Sequence, residues 1–126
     1  MRIKLFVSPH SGNRMMKLQQ DHIRRVLEMK GIDFAEIDIA DPRYEKDKNF
    51  MQRALQLNDD DLVALPPQIF KGDQYRGDYE SFFKALENEH LFEYLDLEIP
   101  KNEVEYARKY QKDVQLAMSV HEVSYQ

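Results

Sequence analysis

His10 and Ser11 stand side by side in the turn-forming run Ser8-Pro9-His10-Ser11-Gly12-Asn13. A serine hydroxyl beside a base is the minimum for nucleophilic catalysis, but the unit also needs a third group to orient the imidazole, and none can be named here. His10 is therefore read as capping the loop, and no catalytic residue is assigned. The 126-residue chain contains no cysteine, which removes a thiolate nucleophile, a disulfide framework and Cys-ligated zinc together. His22 falls on a helical stripe and is read as packed, while His90 and His121 are too far apart to claim a ligand spacing. Asn58-Asp59-Asp60-Asp61 brings three carboxylates together, yet without the glycine and bidentate glutamate of an EF-hand loop. It is read as a solvated loop, with no metal and no cofactor assigned.

What remains is recognition chemistry. Leu65-Pro66-Pro67-Gln68-Ile69-Phe70 is followed closely by Gln74-Tyr75-Arg76-Gly77-Asp78-Tyr79. A proline pair has fixed φ and no N–H, so it suits either an extended ligand for an aromatic groove or a rigid start to a strand. Arg76-Gly77-Asp78 is read as a turn in which Asp78 caps the next helix. A net charge of −5 and a pI near 5.4 give no reward for clustered phosphates, so nucleic acid and anionic membranes are excluded as partners. The apolar run Ile3 to Val7 is far too short for a signal segment or a membrane span, and a cytosolic setting follows, with nuclear access for a chain of this size.

These residues need elements to hold them. Ile3 to Val7 reads as a first strand. Met15, Leu18, His22, Val26 and Met29 recur at helical spacing, widened by Ile23 and Leu27, and Lys30-Gly31 closes the helix. Ile32 to Ile39 alternates apolar and acidic residues, which predicts a strand parallel to the first with one face more exposed. Asp41-Pro42 starts a second helix with Phe50, Met51, Ala54, Leu55 and Leu57 on its apolar face. Lys71-Gly72-Asp73 turns a hairpin between Gln68-Ile69-Phe70 and Gln74-Tyr75. A third helix runs from about Asp78, with Phe82, Phe83, Leu86, Leu91, Phe92, Tyr94 and Leu95 on apolar faces; Phe82 and Phe83 cannot both point inward. The order β-α-β-α-β-β-α is that of a mixed sheet flanked by helices.

Glu98-Ile99-Pro100 marks a boundary, so residues 1–97 form the domain and 98–126 an extension. Val104, Ala107, Tyr110, Val114, Ala117 and Met118 fall at helical spacing there, and the narrow stripe favours docking on the domain over self-association.

Leu65-Pro66-Pro67-Gln68-Ile69-Phe70 and Tyr75-Arg76-Gly77-Asp78-Tyr79, placed after a Ser-Gly loop, Gln19-Gln20-Asp21 and Ile37-Asp38-Ile39-Ala40, resemble the SH3-domain-binding glutamic-acid-rich protein family over residues 1–97. The resemblance implies a thioredoxin-like, glutaredoxin-like three-layer α/β/α fold with a mixed four-stranded sheet, a missing active-site cysteine pair, and work as a cytosolic adaptor without catalysis. It also implies a cis bond at Pro67. Ala64 stands where an SH3-type P-x-x-P would need proline, whereas Pro66-Pro67-Gln68-Ile69-Phe70 matches the P-P-x-x-F pattern read by EVH1 domains. SH3 or EVH1 domains are thus the expected partners, with Leu65, Pro66, Pro67, Gln68, Ile69 and Phe70 as the contact stretch. The alternative implied by the likeness is a redox-inactive groove for glutathione or a related anion, formed by Ser8, His10, Ser11, Pro67, Gly77 and Asp78. The glutamate-rich tail of the family's name is replaced here by mixed charge.

Overall fold

The computed structural model describes residues 1–55 and 64–103. Strand β1 (Ile3–Val7) leads to helix α1 (Arg14–Met29) and strand β2 (Phe34–Asp38). A 3-10 turn at Pro42–Tyr44 opens helix α2 (Glu45–Ala54). Strands β3 (Gln68–Lys71) and β4 (Gln74–Asp78) form a hairpin, and helices α3 (Tyr79–Glu87) and α4 (Leu91–Tyr94) follow. The sheet has the order β2-β1-β3-β4, with β1 parallel to β2 and the other pairs antiparallel. Both the parallel first pair and the hairpin follow the sequence reading. Gly72, with φ of 55°, supplies the left-handed residue that the two-residue turn needs.

Alternation along β1 builds two cores. Ile3, Leu5 and Val7 face α1, α3 and α4, where they join Ile23, Leu27, Ile69, Phe82, Leu91 and Leu95. Phe6 faces the other way, with Ile37, Met51, Ala64 and Phe70 beneath α2. The result is three layers, α/β/α. Ile69 and Phe70 are consecutive, so β3 anchors both cores at once.

Three expectations need correction. The buried face of α1 is Met16, Gln20, Ile23, Val26 and Leu27, while Met15, Leu18 and Met29 are exposed. The helix is rotated from the expected stripe because its core face contains a glutamine that hydropathy counts as solvent-facing. Ala54 also lies outside the α2 core and is exposed; Leu57 falls outside the described residues. The expected third helix is two helices, broken where Glu89 adopts φ of 59° and the His90 N–H returns to the Ala85 carbonyl at 2.8 Å. Phe82 is buried and Phe83 is not, as one helix requires. The Asn58–Asp61 loop and the extension from residue 104 onward lie outside the described residues.

Candidate functional site

The sheet register brings the separate sequence segments to one end of the molecule. Phe6 pairs with Gln68, and Gln68 pairs with Asp78, so the exit of β1, the entry of β3 and the exit of β4 are neighbours. Ser8, Pro67, Gly77 and Asp78 therefore meet at this end, with the Ser8-to-Asn13 loop beside them. The Pro66-Pro67 peptide is cis. Pro66 and Pro67 are buried, as are Ile69 and Phe70 in the sheet behind them, and Gln68 is half-buried. Leu65 alone of the six-residue stretch is open, at 68% exposure.

The first loop is held by its own hydroxyl and amide groups. The Ser11 N–H donates to the Ser8 carbonyl at 3.2 Å, and the Asn13 N–H donates to Ser11 Oγ at 3.1 Å. Asn13 Oδ1 in turn accepts from the Met16 N–H at 3.0 Å and caps α1. Ser11 and Asn13 thus do the capping expected of His10, whose side chain is exposed. Among the hydrogen bonds of the described residues none joins His10 to Ser11.

Gln20 is the residue that sequence reasoning missed. It is a buried polar side chain, and its amide clamps the backbone of Ser8: Oε1 accepts from the Ser8 N–H at 2.7 Å, and Nε2 donates to the Ser8 carbonyl at 3.4 Å. This ties the exit of β1 to α1 where no strand continues the ladder. Gln20→Leu keeps the volume and removes the clamp. We expect it to lower stability by about 2 kcal/mol and to speed hydrogen exchange at Ser8 and Ser11; unchanged exchange there would mean that water replaces the clamp without loss.

A second clamp holds Leu65 outward. Gln68 Nε2 donates to the Leu65 carbonyl at 2.9 Å, and the Tyr75 hydroxyl donates to Gln68 Oε1 at 2.7 Å. Burial, then the nearby Asp78 and Tyr94, push the Tyr75 phenol up from 10.0 to about 12. A raised phenol favours folding below its unfolded pKa, and that contribution is lost as pH rises from about 10 to about 12. Loss of the proton also removes the donor to Gln68. A pH titration followed by tyrosinate absorbance and by the Leu65 and Gln68 amides should therefore show the loop loosening in that window. A Tyr75 that ionises near pH 10 with no change at Leu65 would refute the linkage.

Arg76-Gly77-Asp78 is the end of β4 rather than a turn. A β-bulge makes Ile69 face Gly77 and Phe70 face Tyr75, leaving Arg76 unopposed, and its Nε donates to the Tyr94 carbonyl at 2.8 Å. Asp78 Oδ1 accepts from the Ser81 N–H at 3.0 Å and caps α3, as expected. At Gly77, with φ of 148°, an added Cβ would lie 2.1 Å from Ser81 Oγ and 2.3 Å from Tyr94 Oη. Those two hydroxyls bond each other at 2.8 Å, so the glycine is where α3 and α4 close over β4. His22 is packed as expected, sharing a 2.8 Å hydrogen bond with the Tyr79 hydroxyl between α1 and α3.

Two features define what this surface offers a ligand. Pro66 and Pro67 have no N–H, so an extended peptide laid beside them finds no backbone donor there. The Asp78 carboxylate already occupies an N–H at the α3 N-terminus, where an anion would otherwise be welcome. Among the described residues no group of three His, Asp or Glu side chains is arranged to hold a metal.

Comparison with known proteins places this geometry. The structure resembles the actin interacting protein Aip5 of C. albicans, with a TM-score of 0.59, 24% identity, and 75% of this chain and 87% of that chain covered. It also resembles a buckwheat glutaredoxin solved with glutathione, with a TM-score of 0.51, 12% identity, and 75% and 76% covered. The fold is therefore thioredoxin-like, of the glutaredoxin type. A Drosophila melanogaster SH3 domain-binding glutamic acid-rich protein homolog is 35% identical over 103 residues, 77% of this chain, and the chain spans 65% of that relative's length. The model of the SH3-binding, glutamic acid-rich proteins matches residues 1–98, and the chain belongs to that family.

Proposed function

We propose that this chain is a non-enzymatic, cytoplasmic adaptor that binds proteins through the folded end of its sheet. The observation that carries this reading is a glutaredoxin-like frame without a single cysteine, in which Ser11 spends its hydroxyl on the neighbouring backbone. The contact surface is Leu65 with the half-buried Gln68, flanked by Ser8 to Asn13 and by Asp78, and Pro66 and Pro67 form its rigid backing. An SH3 domain is the favoured partner class, supported by the family's description as SH3-binding; EVH1 domains are the second. Recognition of the stretch as a free peptide is disfavoured. A reader of P-P-x-x-F needs the Phe70 ring, and freeing it means pulling out a central strand, an opening that approaches global unfolding.

Backbone-amide NMR of the folded chain, titrated in turn with an isolated SH3 domain, an isolated EVH1 domain and reduced glutathione, tests the reading. The expected result is saturable shifts at Leu65, Gln68, Ser11 and Asp78 with a protein domain, abolished by Leu65→Asp in a variant that stays folded. Shifts with glutathione alone would replace this reading with the small-ligand groove. Collapse of the Ile69 and Phe70 signals on adding a domain would mean that the strand is extracted and read as a linear motif.

A further inference from the structure

The apolar residues displaced from the α1 core do not scatter. Met15, Leu18 and Met29 are 63%, 53% and 76% exposed, and at about 100° per residue they fall with His22 on one flank of the helix, beside the buried face. Phe83 of α3 borders this flank on one side: it is 39% exposed, stacks on Tyr79 at 6.0 Å and lies 6.4 Å from His22. Arg14, Asp21, Arg25 and Glu28, all exposed, border it on the other. The terminal charges run the wrong way for a helix standing alone. α1 has no acidic residue in its first turn and no basic residue in its last; it begins on Arg14 and carries Glu28 in its final turn. Lys30, at the C-cap, is held by Glu103 at 2.8 Å. Among the described residues neither Arg14 nor Glu28 makes an ion pair.

A second copy of the same helix, laid antiparallel, corrects both ends at once. Its C-terminus brings the negative end that Arg14 lacks, and its N-terminus the positive end that Glu28 lacks. We propose that this chain forms a two-fold dimer through the α1 flank, with the helices antiparallel and the axis near His22. Such an interface is isologous, so every pairing occurs twice. With the axis there, Met15 meets the second copy's Met29 and Arg14 meets its Glu28. Asp21, already bonded to Arg24 of its own copy at 2.6 Å, also meets the second copy's Arg25. Leu18 lies against the apolar stem of that arginine, and the two Phe83 rings flank the axis, giving an apolar centre with a charged rim. The unbranched methionines adapt to one another across it. A helix of 16 residues is about 24 Å long, and a strip of that length with one ring beside it falls short of the roughly 800 Å² per partner of a standard interface. The dimer is accordingly weak, with a dissociation constant on the order of 100 µM. Asn13 caps α1 beside the proposed contact surface, so the two contact surfaces lie at opposite ends of the dimer and the adaptor is bivalent. Bivalency rests on the proposed function; the dimer itself does not.

Sedimentation equilibrium of the full-length chain at low salt, from about 10 µM to about 1 mM, tests the proposal. The expected result is a monomer–dimer equilibrium, weakened by about tenfold or more in Leu18→Asp, an exposed change that leaves the core intact. Arg14→Glu and Glu28→Arg each turn two attractions into two repulsions, and each alone should weaken self-association by about tenfold. Both improve the terminal charges of α1 itself, so neither loses the fold. Mixed together, the two variants should form a heterodimer as tight as the unaltered dimer, because each reversed charge then meets its opposite. A chain that stays monomeric at about 1 mM overturns the proposal. So does a dimer that ignores Leu18→Asp, or one that is lost in Leu65→Asp, since association then runs through another face. Mixed variants that fail to restore the dimer overturn it too, by excluding the antiparallel pairing.

Discussion

Phe70→Ala is expected to lower the stability of the domain by about 3–5 kcal/mol, a large share of the roughly 5–15 kcal/mol that a domain of this size possesses. Phe70 is fully buried in a strand with a neighbour on each side. Its ring meets Phe6 at 5.3 Å, Tyr75 at 5.2 Å and Phe50 at 6.1 Å, so truncation strips three aromatic contacts and leaves a cavity that a sheet cannot easily collapse. Urea unfolding followed by circular dichroism measures it directly, with a fall in midpoint at constant slope as the expected signature. The consequence for function is practical. A Phe70→Ala variant that loses a partner loses it through a disturbed core strand, because the ring is not on the surface, whereas Leu65→Asp removes an exposed contact and leaves the strand in place. A loss below about 1 kcal/mol would show that the ring is dispensable to the core, and the linear-motif reading would regain its footing.

Gly77→Ala is the second large effect, expected at about 3 kcal/mol from two causes that add. A backbone at φ of 148° suits glycine and strains any side chain, and the new Cβ would sit within 2.3 Å of both Ser81 Oγ and Tyr94 Oη. Relief requires both hydroxyls to move, which breaks their mutual bond and the Ser81 bond to the Asp78 carbonyl at 3.1 Å. The variant should therefore loosen α4 as well as the start of α3, visible as faster hydrogen exchange at Tyr94 and Leu95. Near-normal stability with exchange unchanged at Tyr94 would mean that the two side chains simply rotate aside. Because Gly77 lies beside the proposed contact surface, reduced partner binding by this variant would report disorder in that surface rather than a lost contact.

These two positions differ in how legible they were. Phe70 belongs to a hairpin announced by short β-rich runs around Gly72-Asp73, and its burial follows from lying in a strand inside a two-sided sheet. The need for glycine at position 77 is created by Ser81 and Tyr94, which approach it from other elements, so no local pattern marks it. The bulge at Arg76 is similar. Strict alternation puts Tyr75 and Gly77 on one face of the sheet, yet the extra residue sends them to opposite faces, and only the pairing with Ile69 and Phe70 reveals it.

By itself the sequence determined the order of the elements, the parallel first pair, the hairpin, the helix caps at Asp41 and Asp78 and the absence of thiol chemistry, because each is written in local residue types and their spacing. The tertiary structure decided the rotation of α1, the division of α3 from α4, and which part of Leu65 to Phe70 faces outward. The physical reason is the same in each case. Hydropathy weighs a residue alone, whereas burial depends on partners that arrive from distant segments: Gln20 can be buried because the Ser8 backbone satisfies its amide, and Leu65 stays outside because Gln68 and Tyr75 hold its carbonyl in place.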